Sequence, residues 1–525
     1  MKKNIVTLKK IGLVVILCSI VAVSSCTDNF DEINTDKNKI STLEPSMLPF
    51  LFSKVQSTAT NNGWNYQIAQ NLFHDQYCQY FANTTTYFPS DRLVIRMDWI
   101  RAAWNPIYTE VVPQLLTLLN ETEANSPEHA LANIMWVYTF HRLTDTWGPV
   151  PYKNVGIIGL GVPYDAQDVI YDDMLLRLDS VANTLSNFSG QKSIFGDYDL
   201  IYGGDLDKWK KFANTLRLRL AVRISKVDPD RAKDEGEEAA ASGTLTTSPT
   251  DDALIIRTKR GDDFNGLAIM DWNEFRMSAS MESVLKGYDD PRMPIYFLPA
   301  KTTGDYEGLR NGLTSGDMAA ALNKPDANSH HGDRWNSVTG LETPSNVMAT
   351  AEADFLKAEA TLLGWNVGGG TAKEHYEKGI RNSMLQWGIT DNAVIAAYVN
   401  STKTPIAPGD FLNSPPLTDV PVLWGATTDI QKEQITLQKW LALYPEGVEA
   451  WADIRRSAAL KLYPVANSDN PDLPSTPSSP ATNWIRRIPF LNDEKISNAS
   501  EVQRAEDNLL NGPDKITTPL WWDKN

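Results

Sequence analysis

Residues 350–386 read TAEADFLKAEATLLGWNVGGGTAKEHYEKGIRNSMLQ, a stretch in which small and large apolar residues recur at set distances. The recurring residues, at offsets 0, 4, 7, 16, 20 and 23, are Leu356, Ala360, Leu363, Ala372, Tyr376 and Gly379. This spacing is typical of a tetratricopeptide-like unit, in which small residues let two antiparallel helices approach and a large residue fills the gap. Because one unit cannot bury its own apolar face, we expect further helical pairs elsewhere in the chain.

Apolar positions recur with a helical period along much of the remaining chain. Within 207–225, for example, Trp209, Phe212 and Leu216 fall on one face of a helix. The predicted helices span 65–81, 98–119, 128–143, 165–187, 207–225, 350–363, 371–386, 429–443 and 446–457. The other pairs match the tetratricopeptide pattern poorly. The sequence therefore predicts a mostly α fold built from degenerate helical repeats.

Long segments rich in Gly, Pro, Asn, Asp, Ser and Thr separate the predicted helices. They far exceed the usual connection of about five residues, and several contain Trp or Tyr, which favours ordered loops. No polar linker clearly divides the chain. We therefore predict one helical-repeat domain over 44–525, with an embedded loop-rich subdomain at roughly 257–346 and 401–428.

The N-terminus has the pattern of an export signal. Residues 1–25 contain four lysines and no acidic residue, and the run IGLVVILCSIVAV at 11–23 is almost wholly apolar. Val23-Ser24-Ser25-Cys26 resembles a bacterial lipobox, although an ordinary secretory signal ending near a cysteine is the alternative. We predict a signal peptide at 1–25, an acylated Cys26 and a tether at 26–43. The lipid would be the protein's contact with the membrane.

Composition excludes several classes of protein. The 525 residues include 49 Lys and Arg against 65 Asp and Glu, a net charge of −16, which disfavours binding to the phosphates of nucleic acids. A hydrophobic content of 42% excludes extensive disorder. The three cysteines, Cys18, Cys26 and Cys78, provide neither a disulfide framework nor a thiolate metal cluster.

Common catalytic motifs are missing from the sequence. No GxGxxG, GxxxxGK[ST], GxSxG or HExxH pattern occurs. The pair His330-His331 favours no metal site by itself, and His141 and Cys78 are expected to pack inside helices. We therefore predict no catalytic residues, no cofactor and no metal, with bound calcium left open. A glycoside hydrolase is unsupported but not excluded, because 65 acidic residues always allow some carboxylate pair.

Several short segments of the chain form a distinctive set when taken in order. Two of them read FHRLTDTWGPVPY at 140–152 and EAWADIRR at 449–456. The full set covers 30–36, 104–108, 140–152, 203–205, 209–219, 290–294, 438–440, 449–456 and 518–523. In their joint order these segments resemble the SusD/RagB group of outer-membrane nutrient-binding lipoproteins from Bacteroidetes, and the resemblance extends over nearly the whole chain.

The resemblance implies about four tetratricopeptide-like units that scaffold a variable loop region. It also implies a lipid-anchored protein of the outer membrane, on its extracellular side. Such a protein would bind glycans and pass them to a SusC-like TonB-dependent transporter. Capture of peptides or another nutrient by the same fold is the alternative, and a surface glycoside hydrolase is a less favoured one.

Candidate ligand-binding residues follow from loop placement and polar neighbours, because the loops match the family poorly. A glycan site needs flat aromatic rings for the apolar face of a sugar and polar groups for its hydroxyls. The candidates are Trp64, Tyr87, Phe88, Trp272, Asn273, Asp333 and Trp335. The alternative for each aromatic residue is that it anchors its own loop to the protein body.

Overall fold

Helices dominate the computed structural model, which describes residues 44–60, 65–157, 161–192, 194–257, 272–474 and 485–525. The α-helices of these ranges are α1 (Leu48–Ala59), α2 (Met97–Pro106), α3 (Val112–Glu121), α4 (Pro127–Trp147), α5 (Gln167–Ser186), α6 (Leu206–Ile224), α7 (Pro229–Ser242), α8 (Ala279–Gly287), α9 (Met293–Tyr296), α10 (Thr350–Leu362), α11 (Ala372–Gln386), α12 (Asn392–Val399), α13 (Thr428–Leu443), α14 (Gly447–Ser457), α15 (Asn492–Ser497) and α16 (Ala499–Asn508). Pro49–Asn525 form one compact unit, and the described residues before it, 44–48, include a 3-10 turn at Pro45–Met47.

Short antiparallel ladders of two strands join segments that are distant in sequence. The strands are β1 (Phe81–Asn83), β2 (Val150–Pro151), β3 (Tyr164–Asp165), β4 (Ala253–Ile255), β5 (Phe275–Met277) and β6 (Ser345–Met348). β1 pairs with β5, β2 with β3, and β4 with β6. In the first ladder Phe81 is opposite Met277 and Asn83 is opposite Phe275. This pairing connects the N-terminal helices to the loop-rich middle of the chain.

The helix pair predicted at 350–386 is present as α10 and α11. Thr371 and Glu374 form a reciprocal capping box that starts α11. Gly379 lies directly against the ring of Phe355, since a Cβ built on the glycine would come within 2.7 Å of it. Leu363 differs from the expected pattern and is 43% exposed, because α10 ends at Leu362 and no longer directs this side chain inward. Gly379 is therefore the small residue that a tetratricopeptide-like unit requires where its two helices cross.

Further helix pairs confirm the predicted fold class. α4 packs against α5, α6 against α7, α10 against α11, and α13 against α14. Buried ion pairs link different helix pairs: Arg219 of α6 donates two hydrogen bonds to Glu352 of α10, at 2.6 and 2.7 Å. Arg223 of α6 binds Glu449 of α14 at 2.6 Å. Because each buried charge needs its partner, these contacts hold the units in one arrangement.

Some helices were not predicted from the sequence. α7 was not predicted, because its buried residues, Ala232, Gly236, Ala239 and Ala240, are small and give a weak period. α15 and α16 were not predicted either, and both lie beyond 446–457, the last predicted helix. The segment 65–81 was predicted as one α-helix, but it contains a π-helix at Gln67–Asp75 and ends in β1.

Several residues singled out in the sequence belong to the core. Cys78 is fully buried, and its thiol donates to the backbone oxygen of Asp75 at 3.4 Å. His141 is also buried, 3.1 Å from a guanidinium nitrogen of Arg219, and burial together with that charge lowers its pKa well below the usual value. His141 therefore packs inside α4, as predicted, whereas Cys78 is buried in the turn that follows the π-helix and not in a helix.

Candidate ligand-binding site

The β1–β5 ladder brings together two loops that carry predicted ligand-binding residues. Beyond the strands, the Thr84 N–H donates to the Glu274 backbone oxygen at 2.8 Å, and the Thr84 hydroxyl donates to the Asn273 backbone oxygen at 2.7 Å. Thr84 therefore lies beside Asn273 and Glu274, and the two loops leave the ladder at the same end. Tyr87, Phe88, Trp272 and Asn273 share this region although about 190 residues separate the two loops in sequence.

Aromatic rings form a cluster on the first of these loops. Tyr87 is 67% exposed, and its ring centroid lies 5.6 Å from Phe88 and 5.9 Å from Trp99. Phe88 is buried and stacks on Phe275 of β5, with a centroid distance of 6.0 Å. Trp272, on the second loop, is 52% exposed. We call the rings of Tyr87, Phe88, Trp99 and Trp272 the aromatic platform.

Trp99 was not predicted as a site residue. It lies on the first turn of α2, where helical periodicity predicts that an aromatic side chain packs in the core. The Arg96 guanidinium lies over its ring, 4.4 Å from the centroid, and makes two hydrogen bonds to Asp98, at 3.0 and 2.8 Å. This pairing lowers the pKa of Asp98 and raises that of Arg96. Since Arg96 covers one face of Trp99, Tyr87 and Trp272 are the rings most open to a ligand.

Polar side chains surround the platform. Asn273 has a left-handed backbone with φ of 69°, which asparagine tolerates better than most residues, and its side-chain oxygen accepts a hydrogen bond from Arg276. Glu274 accepts a hydrogen bond from Gln67 at 2.6 Å, and partial burial raises its pKa. The Thr86 hydroxyl lies 2.9 Å from that of Ser315. Amides, hydroxyls and a carboxylate of this kind can hydrogen-bond sugar hydroxyls.

A buried carboxylate fixes the base of the Tyr87 loop. Asp91 accepts hydrogen bonds from the backbone N–H groups of Asn83 and Gly312, at 3.2 and 2.9 Å, and from the Asn311 amide at 2.7 Å. Burial raises the pKa of Asp91 to about 6. Arg92 donates to the backbone oxygen of Thr86 at 3.2 Å. The loop is therefore held in place before a ligand arrives, which reduces the entropy lost on binding.

The remaining candidates lie elsewhere or outside the described residues. Trp335 is only 2% exposed and packs against Trp387 and Tyr444, with centroid distances of 5.6 and 5.5 Å. Asp333 is exposed on the same 3-10 turn, Asp333–Trp335. Trp335 lines a small recess that shares no lining residue with the platform. Trp64 falls outside the described ranges, as does Cys26.

Neither a metal-ligand cluster nor a membrane-spanning helix occurs in the described ranges. Among the described residues, no group of three or more His, Cys, Asp or Glu side chains is placed to hold a metal ion. None of the helices in the described ranges combines the length and the apolar character that crossing a bilayer requires. The two carboxylates at the platform are each engaged, Asp98 by Arg96 and Glu274 by Gln67.

Comparison with known proteins agrees on one family. The family model described as SusD-like, "Susd and RagB outer membrane lipoprotein", matches residues 27–523. A solved chitin-binding SusD homologue from Flavobacterium johnsoniae superposes with a TM-score of 0.82 at 33% identity, covering 91% of this chain and 99% of its own. A SusD homologue from Bacteroides uniformis gives 0.81 at 30% identity, with 92% and 100% covered. A structure described as a chitin-binding protein gives 0.75 at 27% identity, with 91% and 100% covered. No curated protein sequence matches the chain.

Proposed function

Because the chain belongs to the SusD-like family of outer-membrane lipoproteins, we propose that it binds glycans through the aromatic platform. The observation that carries this proposal is the exposure of Tyr87 and Trp272 on two adjoining loops that hydrogen bonds hold in place. Flat rings of this kind gain contact with the apolar face of a sugar without rearranging. Asn273, Glu274 and Thr86 supply partners for its hydroxyls.

Chitin-type chains are the first ligand class to test. Two structural relatives, 33% and 27% identical to this chain, are described as chitin-binding. Chitin is a neutral polymer of N-acetylglucosamine, and a neutral chain suits a platform whose nearest charged groups are already paired. We propose binding without cleavage, so that the ligand keeps its length after long incubation with the protein.

The proposed location and partner follow from the family and the lipobox-like sequence. We propose that acylated Cys26 anchors the protein on the outer face of the outer membrane, where it passes glycans to a SusC-like TonB-dependent transporter. In cells, Cys26→Ala should move the protein from the membrane fraction to a soluble fraction. Protease added to intact cells should degrade the wild-type protein if it faces outward. Co-purification with a TonB-dependent transporter would test the partnership.

Calorimetry on residues 27–525 tests the binding proposal directly. The ligands are oligomers of N-acetylglucosamine, a panel of plant and host glycans, and a mixture of peptides. Tyr87→Ala and Trp272→Ala should each weaken glycan binding about fivefold, since a stacked ring contributes roughly 1 kcal/mol. Their melting temperatures should stay near that of wild type because both side chains are exposed.

Tyr198→Ala is the matched control, because Tyr198 is 41% exposed but lies on a different segment. It should bind glycan as wild type does. Wild-type affinity in both platform variants would exclude the platform as the glycan site. If the protein binds peptides and no glycans, the proposed ligand class is wrong, but the fold assignment is unchanged.

A further inference from the structure

The recess lined by Trp335 has the composition of a second ligand-binding site. The β4–β6 ladder contributes Asn346 to it, opposite Leu254 and next to an irregularity between Ala253 and Leu254. The C-terminal end of α11 contributes Gln386, and Trp387 follows directly after that helix. Bulged strands of this kind are common beside binding sites.

Polar atoms in the wall of the recess have no hydrogen-bond partner. They are the side-chain oxygen and nitrogen of Asn346, the side-chain oxygen of Gln386 and the indole nitrogen of Trp387, and each exposes less than 1 Å². Trp387 as a whole is only 8% exposed. Native proteins pair nearly all such groups, so several unpaired groups in one wall indicate a missing partner.

The chemistry of these groups selects the partner. A primary amide whose oxygen and nitrogen are both free can accept a hydrogen bond from a ligand N–H and donate one to a ligand carbonyl. The Trp387 indole supplies a further donor, and the Gln386 oxygen a further acceptor. The rings of Tyr66, Trp335 and Trp387 provide apolar contact for a methyl group. An acetamido group has this combination of N–H, carbonyl and methyl.

We propose that the recess binds the acetamido group of an N-acetylated sugar unit, an inference that rests on the proposed glycan-binding function. The polar atoms are covered, so a side chain at the rim must move when the group enters. Arg334 is suited to this movement. It is exposed, and its guanidinium lies over the Trp387 ring, 5.0 Å from the centroid.

The recess and the platform are linked through one helical segment. Gln67, which binds Glu274 of the platform region, lies in the same segment as Gln70, and Tyr66 directly precedes it. Tyr66 and Gln70 line the recess. Because the two sites adjoin consecutive turns of this segment, we expect one oligosaccharide to occupy both.

The test compares two neutral tetramers with the same β-1,4 linkage, one of N-acetylglucosamine and one of glucose. Calorimetry on residues 27–525 should show tighter binding of the acetylated tetramer. Asn346→Leu, which removes the amide at similar volume, should lower affinity for that tetramer about tenfold or more and leave the glucose tetramer unchanged. Trp387→Phe should act in the same direction. Asn183→Leu, on the exposed surface of α5, is the control and should change neither affinity.

Stability measurements separate a binding role from a structural one. Asn346→Leu should keep or raise the melting temperature, because an unpaired buried amide is replaced by an apolar side chain. If Tyr87→Ala weakens glycan binding while Asn346→Leu and Trp387→Phe leave both tetramers unaffected, the recess holds only water and the inference is wrong. Equal loss for both tetramers would also contradict recognition of the acetamido group. If the wild-type protein binds no glycan at all, the proposed function itself fails.

Discussion

The rings of Phe88 and Phe275 are stacked, with centroids 6.0 Å apart and planes 2° from parallel. This contact presses the loop that carries Tyr87 against β5 and so couples the platform to the scaffold. Phe88→Ala should therefore reduce the free energy of unfolding by about 3 kcal/mol and weaken glycan binding as well. Urea denaturation and calorimetry on the same variant would measure both effects. Phe88→Leu, which keeps most of the apolar volume, should lose less stability; an equal loss would contradict a packing role.

The sequence predicted the loops of the platform but not their proximity. The polar neighbours of Tyr87 and Trp272 in long loops predict ligand contact, and both side chains are exposed. Their proximity depends on β1 and β5, which are three residues each, too short for an alternating pattern to be detected. Trp99 was not predicted as a ligand-binding residue for a different reason. An aromatic residue at an apolar position of a helix has the same sequence pattern as a core residue.

The burial of Trp335 could not be predicted for a related reason. Its local sequence, DRWN, is much like the DWN around Trp272, yet Trp335 is buried and Trp272 is half exposed. The difference comes from Trp387 and Tyr444, which pack on Trp335 from other parts of the chain. By contrast, the pair α10–α11 was predicted because its packing signal, ending at Gly379, is local in sequence. Whether a loop tryptophan is buried therefore depends on residues distant in sequence, which a local sequence pattern does not include.

Gly379→Ala tests the crossing of α10 and α11. A Cβ at this position would come within 2.7 Å of the Phe355 ring, so the two helices must separate or the ring must turn. We expect a loss of about 1–3 kcal/mol in the free energy of unfolding, although alanine is the better helix former. Phe355→Leu in the same chain should recover part of the loss. An alanine variant as stable as wild type would show that this crossing is not tightly packed.

Stability should also depend on pH through Asp75. Burial raises the pKa of this carboxyl group to about 7, well above the value of about 4 for an unfolded chain. Between these values the native state holds a proton that the unfolded state lacks, so the resulting stabilisation is lost as pH rises through 7. The expected loss between about pH 5.5 and 8.5 is roughly 2 kcal/mol for this residue.

Urea denaturation at several pH values checks this expectation. Asp75→Asn should flatten the decline in stability across the window, whatever its effect at one pH. Asp98→Asn is the control, because Arg96 lowers the pKa of Asp98 and the group is ionised in both states throughout the window. A decline unchanged in Asp75→Asn would assign it to other buried acids, such as Glu282, whose pKa burial raises to about 8.

The C-terminal segment should contribute to stability through one buried indole. Trp522 is fully buried, and its indole N–H donates to Oδ1 of Asp145, on α4, at 2.8 Å. The same oxygen accepts a hydrogen bond from the Tyr171 hydroxyl at 2.6 Å. Trp522→Phe keeps an aromatic ring but removes the donor, so we expect a loss of about 1–3 kcal/mol in the free energy of unfolding. Trp521→Phe is the matched control, since Trp521 is partly exposed and contacts Tyr171 through its ring; it should cost less than about 1 kcal/mol. Equal losses in the two variants, measured by urea denaturation, would mean that the hydrogen bond to Asp145 adds nothing beyond ring packing.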